Sequence, residues 1–163
     1  MNSVLEQISQ IGIIPVVVLD DAGDAGPLGE ALSSGNLPAA EVTFRTAAAE
    51  ESIRTMSRLF PDMLVGAGTV LTIDNAKRAA DAGSKFIVSP GFDPEIVSWC
   101  IQNNMPVLPG TATPSEVIMG LNAGLDVVKF FPAEQAGGLS MIKAMSAAFV
   151  NMKFMPTGGI NAE

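Results

Sequence analysis

Two short segments place ionisable side chains where strand patterning calls for apolar ones. In Glu41-Val42-Thr43-Phe44-Arg45, side chains alternate along an extended chain, so residues 41, 43 and 45 share one face and Val42 and Phe44 the other. With the apolar pair turned to covering helices, Glu41, Thr43 and Arg45 point inward, and burying a carboxylate and a guanidinium is costly unless they are paired or used. Asp126-Val127-Val128-Lys129-Phe130-Phe131-Pro132 repeats the pattern, with Lys129 sharing a face with Val127 and Phe131. Such surroundings disfavour the ammonium form and pull a lysine below its usual pKa of about 10.4. A free amine at neutral pH is what Schiff-base chemistry with a carbonyl needs. Two structural alternatives stand beside this: a plain Glu41–Arg45 bridge, and a Lys129 that only pairs with Glu41 or reaches solvent from an edge strand.

Composition removes competing chemistries. Histidine and tyrosine are absent. That excludes Ser-His-Asp and Cys-His nucleophile systems and His-ligated zinc, so proton transfer falls to a carboxylate, a lysine or a held water. The formal charge of −8 and pI near 4.4 argue against a nucleic-acid partner. Cys100 is the single cysteine, so no intrachain disulfide forms and nothing points to secretion. The N-terminal residues have no basic stretch ahead of an apolar one, and the run Ile11–Leu19 is far short of the ~20 residues that span a bilayer. A cytoplasmic location without membrane contact is the expectation.

The elements that must position these residues follow from periodicity. Short apolar runs at Ile13–Leu19, Ala39–Phe44, Met63–Val65, Phe86–Val88, Pro106–Leu108, Asp126–Phe131 and Lys153–Met155 read as strands. Segments of helical spacing lie between them, among them Glu51–Leu59, Glu95–Ile101 and Leu139–Phe149. Asp93-Pro94-Glu95 and Thr113-Pro114-Ser115-Glu116 carry cap-plus-proline start signals. Strand–helix alternation at intervals of roughly 20–25 residues suits a parallel barrel better than an open doubly wound sheet. Seven strands are read where a closed barrel needs eight. The expectation is one (β/α)8 TIM-barrel domain over residues 1–163, truncated after the seventh strand and lacking its C-terminal eighth β/α unit.

Barrel enzymes place their sites on the rim after the strands. Gly66-Ala67-Gly68-Thr69, Ser89-Pro90-Gly91, Pro109-Gly110-Thr111 and Pro156-Thr157-Gly158-Gly159 are expected there as loops. The last suits an anion, because consecutive glycines let backbone N–H groups approach phosphate oxygens. No Gly-Lys-Ser/Thr follows a glycine loop, so this is not a nucleotide P-loop. Trp99 and Cys100 read as helix packing. Asp20, Asp21 and Asp24 lack the calcium-loop pattern and read as a solvated loop.

Seven segments, in order, carry a resemblance to a known family. They are Ile14-Pro15-Val16, Glu41–Thr46, Gly66–Val70, Val88–Gly91, Pro109–Glu116, Lys129-Phe130-Phe131-Pro132-Ala133-Glu134 and Phe154–Ile160. The chain resembles, over nearly its whole length, the bacterial 2-dehydro-3-deoxy-6-phosphogluconate / 4-hydroxy-2-oxoglutarate aldolases. The resemblance implies a trimeric (β/α)8 class I aldolase, with no metal and no cofactor, that cleaves the phosphorylated sugar acid to pyruvate and glyceraldehyde 3-phosphate in the Entner-Doudoroff pathway. It implies Lys129 as the Schiff-base lysine and Glu41 as the acid/base. Arg45 and Thr69 would hold the pyruvate carboxylate, Phe131 would wall the pocket, and Thr157, Gly158 and Gly159 would bind the distal end and phosphate. Sibling aldolases acting on 4-hydroxy-2-oxoglutarate or the galactonate epimer share every residue named. A non-catalytic trimeric scaffold is the alternative of another class. The family usually carries a basic residue after the first strand, where this chain has Asp20-Asp21.

Overall fold

The computed structural model describes residues 3–161. Seven parallel strands stand side by side in chain order: β1 (Val16–Val17), β2 (Ala39–Thr43), β3 (Leu64–Gly68), β4 (Ile87–Ser89), β5 (Val107–Thr111), β6 (Val127–Phe130) and β7 (Lys153–Pro156). Helices α1 (Ser3–Ile11), α2 (Ala25–Ser34), α3 (Ala49–Leu59), α4 (Ile73–Asp81), α5 (Pro94–Gln102), α6 (Pro114–Asn122) and α7 (Gly138–Ala148) alternate with them. The sheet curls as a TIM barrel does, with β1 and β7 each bonded to one neighbour among the described residues.

Alternation sorts the strand side chains into two apolar layers. Ala40, Val42, Val65, Ala67, Ile87 and Val107 face outward against the helices, and Val128 and Phe130 do the same beneath Val117 and Met145. Ala39, Leu64, Phe86, Val88 and Leu108 face inward, joined by Val127 and Met155. Val4, Leu5, Ile8 and Ile11 of α1 pack on that inner set, so α1 closes the end of the barrel at which the strands begin.

Each expected strand is present, within a few residues. The first shrinks to Val16–Val17, and Ile13, Val16 and Val18 beside it are exposed. Two of the four expected glycine loops are strand instead. Gly66 and Gly68 lie in β3 and Gly110 lies in β5. A Cβ on Gly66 would strike the Phe86 ring, and one on Gly110 would strike the Pro90 carbonyl. Glycine is used there for interior space rather than for turning. The aspartates after β1 are exposed, and Asp21 caps a 3₁₀ turn, its carboxylate accepting from the Gly23 N–H at 2.8 Å. Trp99 and Cys100 pack in the outer core.

Three consecutive helices start on side-chain caps at the rim where the strands end. The Thr72 hydroxyl accepts from the Asn75 N–H, and Asp93 accepts from the Glu95 and Ile96 N–H groups at 2.9 Å each. Thr113 and Glu116 form a reciprocal capping box, the Glu116 carboxylate accepting from the Ala112 and Thr113 N–H groups at 2.8 Å. Partial burial raises the Glu116 pKa, but these donors outweigh it and hold the group below the usual carboxylate value. A carboxyl depressed on folding stabilises above its unfolded pKa and loses that contribution as pH falls through the folded one. Thr113→Ala should cost about 1 kcal/mol in urea unfolding at neutral pH. Glu116→Gln should also destabilise, with a deficit that shrinks as pH is lowered through the carboxylate range. A deficit constant with pH would show that the charge is not what caps α6.

Candidate active site

The second and sixth strands bring the two unusual side chains face to face. Lys129 Nζ stands 3.6 Å from Glu41 Oε1, and the two residues are 5% and 1% exposed. They sit on the inner face, as the alternation of Ala39 and Val127 requires. The room for Glu41 comes from β3. A Cβ on Gly68 would collide with the Glu41 carboxylate, so the carboxylate occupies the volume that glycine leaves empty.

Burial governs both groups. It raises the Glu41 pKa above the normal carboxyl value, against the pull of Lys129 and then Arg45. It lowers the Lys129 amine, while the Glu41 charge pushes the other way and Arg45 adds to the lowering. Desolvation penalises each charged form, so burial moves the two groups toward one another in pKa. The amine also lies 5.1 Å from the centre of the Phe131 ring.

The remaining residues gather around this pair. Arg45 lies two residues past the end of β2 and is exposed at the rim. That corrects the expectation of a guanidinium buried inside the barrel, because the strand stops at Thr43 and its alternation stops with it. Arg45 Nε donates to Thr69 Oγ1 at 3.4 Å. Thr69 has φ of +54°, a conformation rare for a β-branched residue and one that concentrates at functional sites. Thr43 is spent within the sheet, its hydroxyl donating to the Val17 carbonyl at 3.0 Å. Thr111 likewise donates to the Lys129 carbonyl at 3.1 Å, tying the lysine's backbone to β5.

A cavity of about 560 Å³ opens on the group, lined by Glu41, Arg45, Phe131, Thr157, Gly158 and Gly159 and by apolar side chains including Ile13, Ile14 and Val16. Six of the eight expected residues thus line one cavity, with Lys129 meeting it through Glu41 and Thr69 through Arg45. Sequence reasoning missed Gly68. The signal was present, since Leu64, Gly66 and Gly68 share one parity along β3. A second groove of about 480 Å³, between α5 and α6, has no ionisable side chain in its lining. No cluster of three potential metal ligands occurs among the described residues, and no helix there is long and apolar enough to cross a membrane.

A parallel barrel whose inner face opposes a buried amine to a carboxylate holds the groups that lysine-nucleophile chemistry requires. Residues 4–163 match the Aldolase family described as KDPG and KHG aldolase. The chain is 44% identical over 161 residues to the 2-dehydro-3-deoxy-phosphogluconate aldolase of Treponema pallidum, covering 99% of this chain and 77% of that protein. It superposes on the KDPG aldolase of Legionella pneumophila, solved with pyruvate captured as a covalent carbinolamine, with a TM-score of 0.88 and 44% identity over 91% of this chain and 72% of that one. The Zymomonas mobilis enzyme, solved with 3-phosphoglycerate, gives 0.87 and 44% over 91% and 70%. The chain belongs to the KDPG/KHG aldolase family.

Because the Glu41 charge props up the Lys129 pKa, Glu41→Gln should move the pH midpoint of Lys129 modification by an amine reagent further down. A midpoint that stays or rises would mean the two groups are not coupled as the 3.6 Å separation implies.

Proposed function

We propose that this chain is a class I aldolase cleaving 2-dehydro-3-deoxy-6-phosphogluconate to pyruvate and glyceraldehyde 3-phosphate. The observation that carries the reading is the buried amine of Lys129, its pKa lowered, 3.6 Å from the Glu41 carboxyl. The Lys129 amine adds to the C2 carbonyl, water leaves, and the protonated imine becomes an electron sink. Glu41, directly or through a water, takes the C4 hydroxyl proton. The C3–C4 bond then breaks, releasing the aldehyde and leaving an enamine on Lys129. Glu41 returns a proton to C3, and water hydrolyses the imine to free pyruvate. One carboxyl serves both proton transfers, which suits a chain without histidine.

Arg45 and Thr69 hold the substrate carboxylate, giving it a charged partner in a water-poor pocket. Phe131 walls the pocket beside the amine. The Thr157–Gly159 loop takes the phosphate, and its glycines at φ of +99° and +72° present backbone unobstructed by side chains. The working unit is a homotrimer in the cytoplasm, as the family resemblance implies. Exposed Ile101, Ile118, Met119 and Leu121 supply apolar surface for subunit contact.

Incubation with pyruvate and borohydride should leave a reduced pyruvyl adduct on Lys129, located by peptide mass spectrometry and absent from Lys129→Met. An unlabelled but folded protein would overturn the Schiff-base reading. Glu41→Gln should still form the adduct while kcat for cleavage falls about 10²–10⁴-fold. Thr157→Ala should raise KM for the phosphorylated substrate about tenfold, and an unchanged KM would move the phosphate elsewhere.

A further inference from the structure

The segment that follows β6 is fastened to the loop that follows β7. The Ala133 N–H donates to the Thr157 carbonyl at 2.8 Å, and the Glu134 N–H donates to the Gly158 carbonyl at 3.1 Å. Phe131 bridges the same two segments. Its ring lies 5.1 Å from Lys129 Nζ, and a Cβ on Gly158 would come 3.6 Å from its Cδ2. The loop is therefore registered against the segment that begins at the nucleophile.

Glu134 adds a side-chain contact to this fastening. Its stem and carboxyl lie directly against Gly159: a Cβ on that glycine would collide with Glu134 Oε2 and fall 2.9 Å from its Cδ. Gly159 sits at φ of +72°, a conformation glycine shares readily with its alternatives. Without a neighbour filling the space beside its Cα, little else in the loop would select that conformation.

We propose that Glu134 is a positioning residue for the Thr157–Gly159 loop: its side chain packs against Gly159 and fixes where the glycine N–H groups stand relative to Lys129. This rests on the reading that the loop takes the substrate phosphate. Glu134 acts through the loop and has no part in the bond-breaking steps. Its contribution comes from filling space rather than from charge, because a carboxylate beside a phosphate would by itself repel it. The isosteric amide therefore preserves the role, and truncation removes it.

The test is steady-state kinetics of the wild type, Glu134→Ala and Glu134→Gln with 2-dehydro-3-deoxy-6-phosphogluconate and with unphosphorylated 4-hydroxy-2-oxoglutarate, alongside borohydride trapping of pyruvate. Glu134→Ala should raise KM for the phosphorylated substrate about tenfold. It should leave the unphosphorylated substrate and pyruvate trapping as in the wild type, and Glu134→Gln should behave as the wild type throughout. A wild type that favours the phosphorylated substrate, with Glu134→Ala unchanged, would overturn the inference and leave the phosphate reading intact. Tighter binding of the phosphorylated substrate by Glu134→Gln would show that charge is what counts and overturn it too. Loss of pyruvate trapping in Glu134→Ala would make Glu134 a general structural residue, again against the proposal. A wild type indifferent to the phosphate would defeat the phosphate reading itself, and the inference with it.

Discussion

Desolvation of one amine and one carboxyl is the constraint on which the rest of this structure turns. Neither Lys129 nor Glu41 would be tolerated alone on the inner face of an apolar barrel, because an unpartnered buried charge costs several kcal/mol. Together they can share a proton, and burial then works on both at once, raising the acid and lowering the amine. The apolar layer of Phe86, Val88 and Leu108 below them is what keeps water from restoring ordinary pKa values. A more open barrel would give an ordinary salt bridge and an ordinary, unreactive lysine.

The close approach depends on absent side chains as much as on present ones. Gly68 makes room for the Glu41 carboxylate and Gly66 makes room for Phe86. Both lie on the inner face of one strand, so β3 contributes space where its neighbours contribute groups. On the other side of the pair, Phe131 touches both the amine and the loop after β7. The Lys129 amine and the loop after β7 thereby lie against the same ring.

Much of this was legible in the sequence. The inward parity of Glu41 and Lys129 follows from alternation alone, and the caps at Asp93 and Thr113 are local signals that tertiary packing reinforces. Helix α2 is not among the helices expected from periodicity, and it contains Gly26, Pro27 and Gly29, residues of poor helix propensity. Its Gly29 is needed where a Cβ would strike the Phe60 ring, so packing overrides propensity there. Helix α4 starts on the Thr72 cap without the proline that follows the caps of α5 and α6. The glycines of β3 and β5 were read as turns because glycine is commonest there, and only a neighbour distant in sequence reveals that they hold space. Arg45 was extrapolated along a strand that ends two residues earlier. Strand ends depend on partner registers, which one chain read alone does not display.

The order of the sheet has a kinetic side. Every strand pairs with its neighbour in sequence, so most contacts close short loops, and each β/α unit can dock on the one before it as the chain is made. Helix α1 is the exception. It precedes every strand in the chain, yet it packs on the inner set of Ala39, Leu64, Phe86, Val88 and Leu108, side chains contributed by β2 through β5 and the approach to β4. Its final seat does not exist until those strands have been laid down. A segment made before these strands thus finds its place only after them, and the docking of α1 reports that the inner face above it has been assembled.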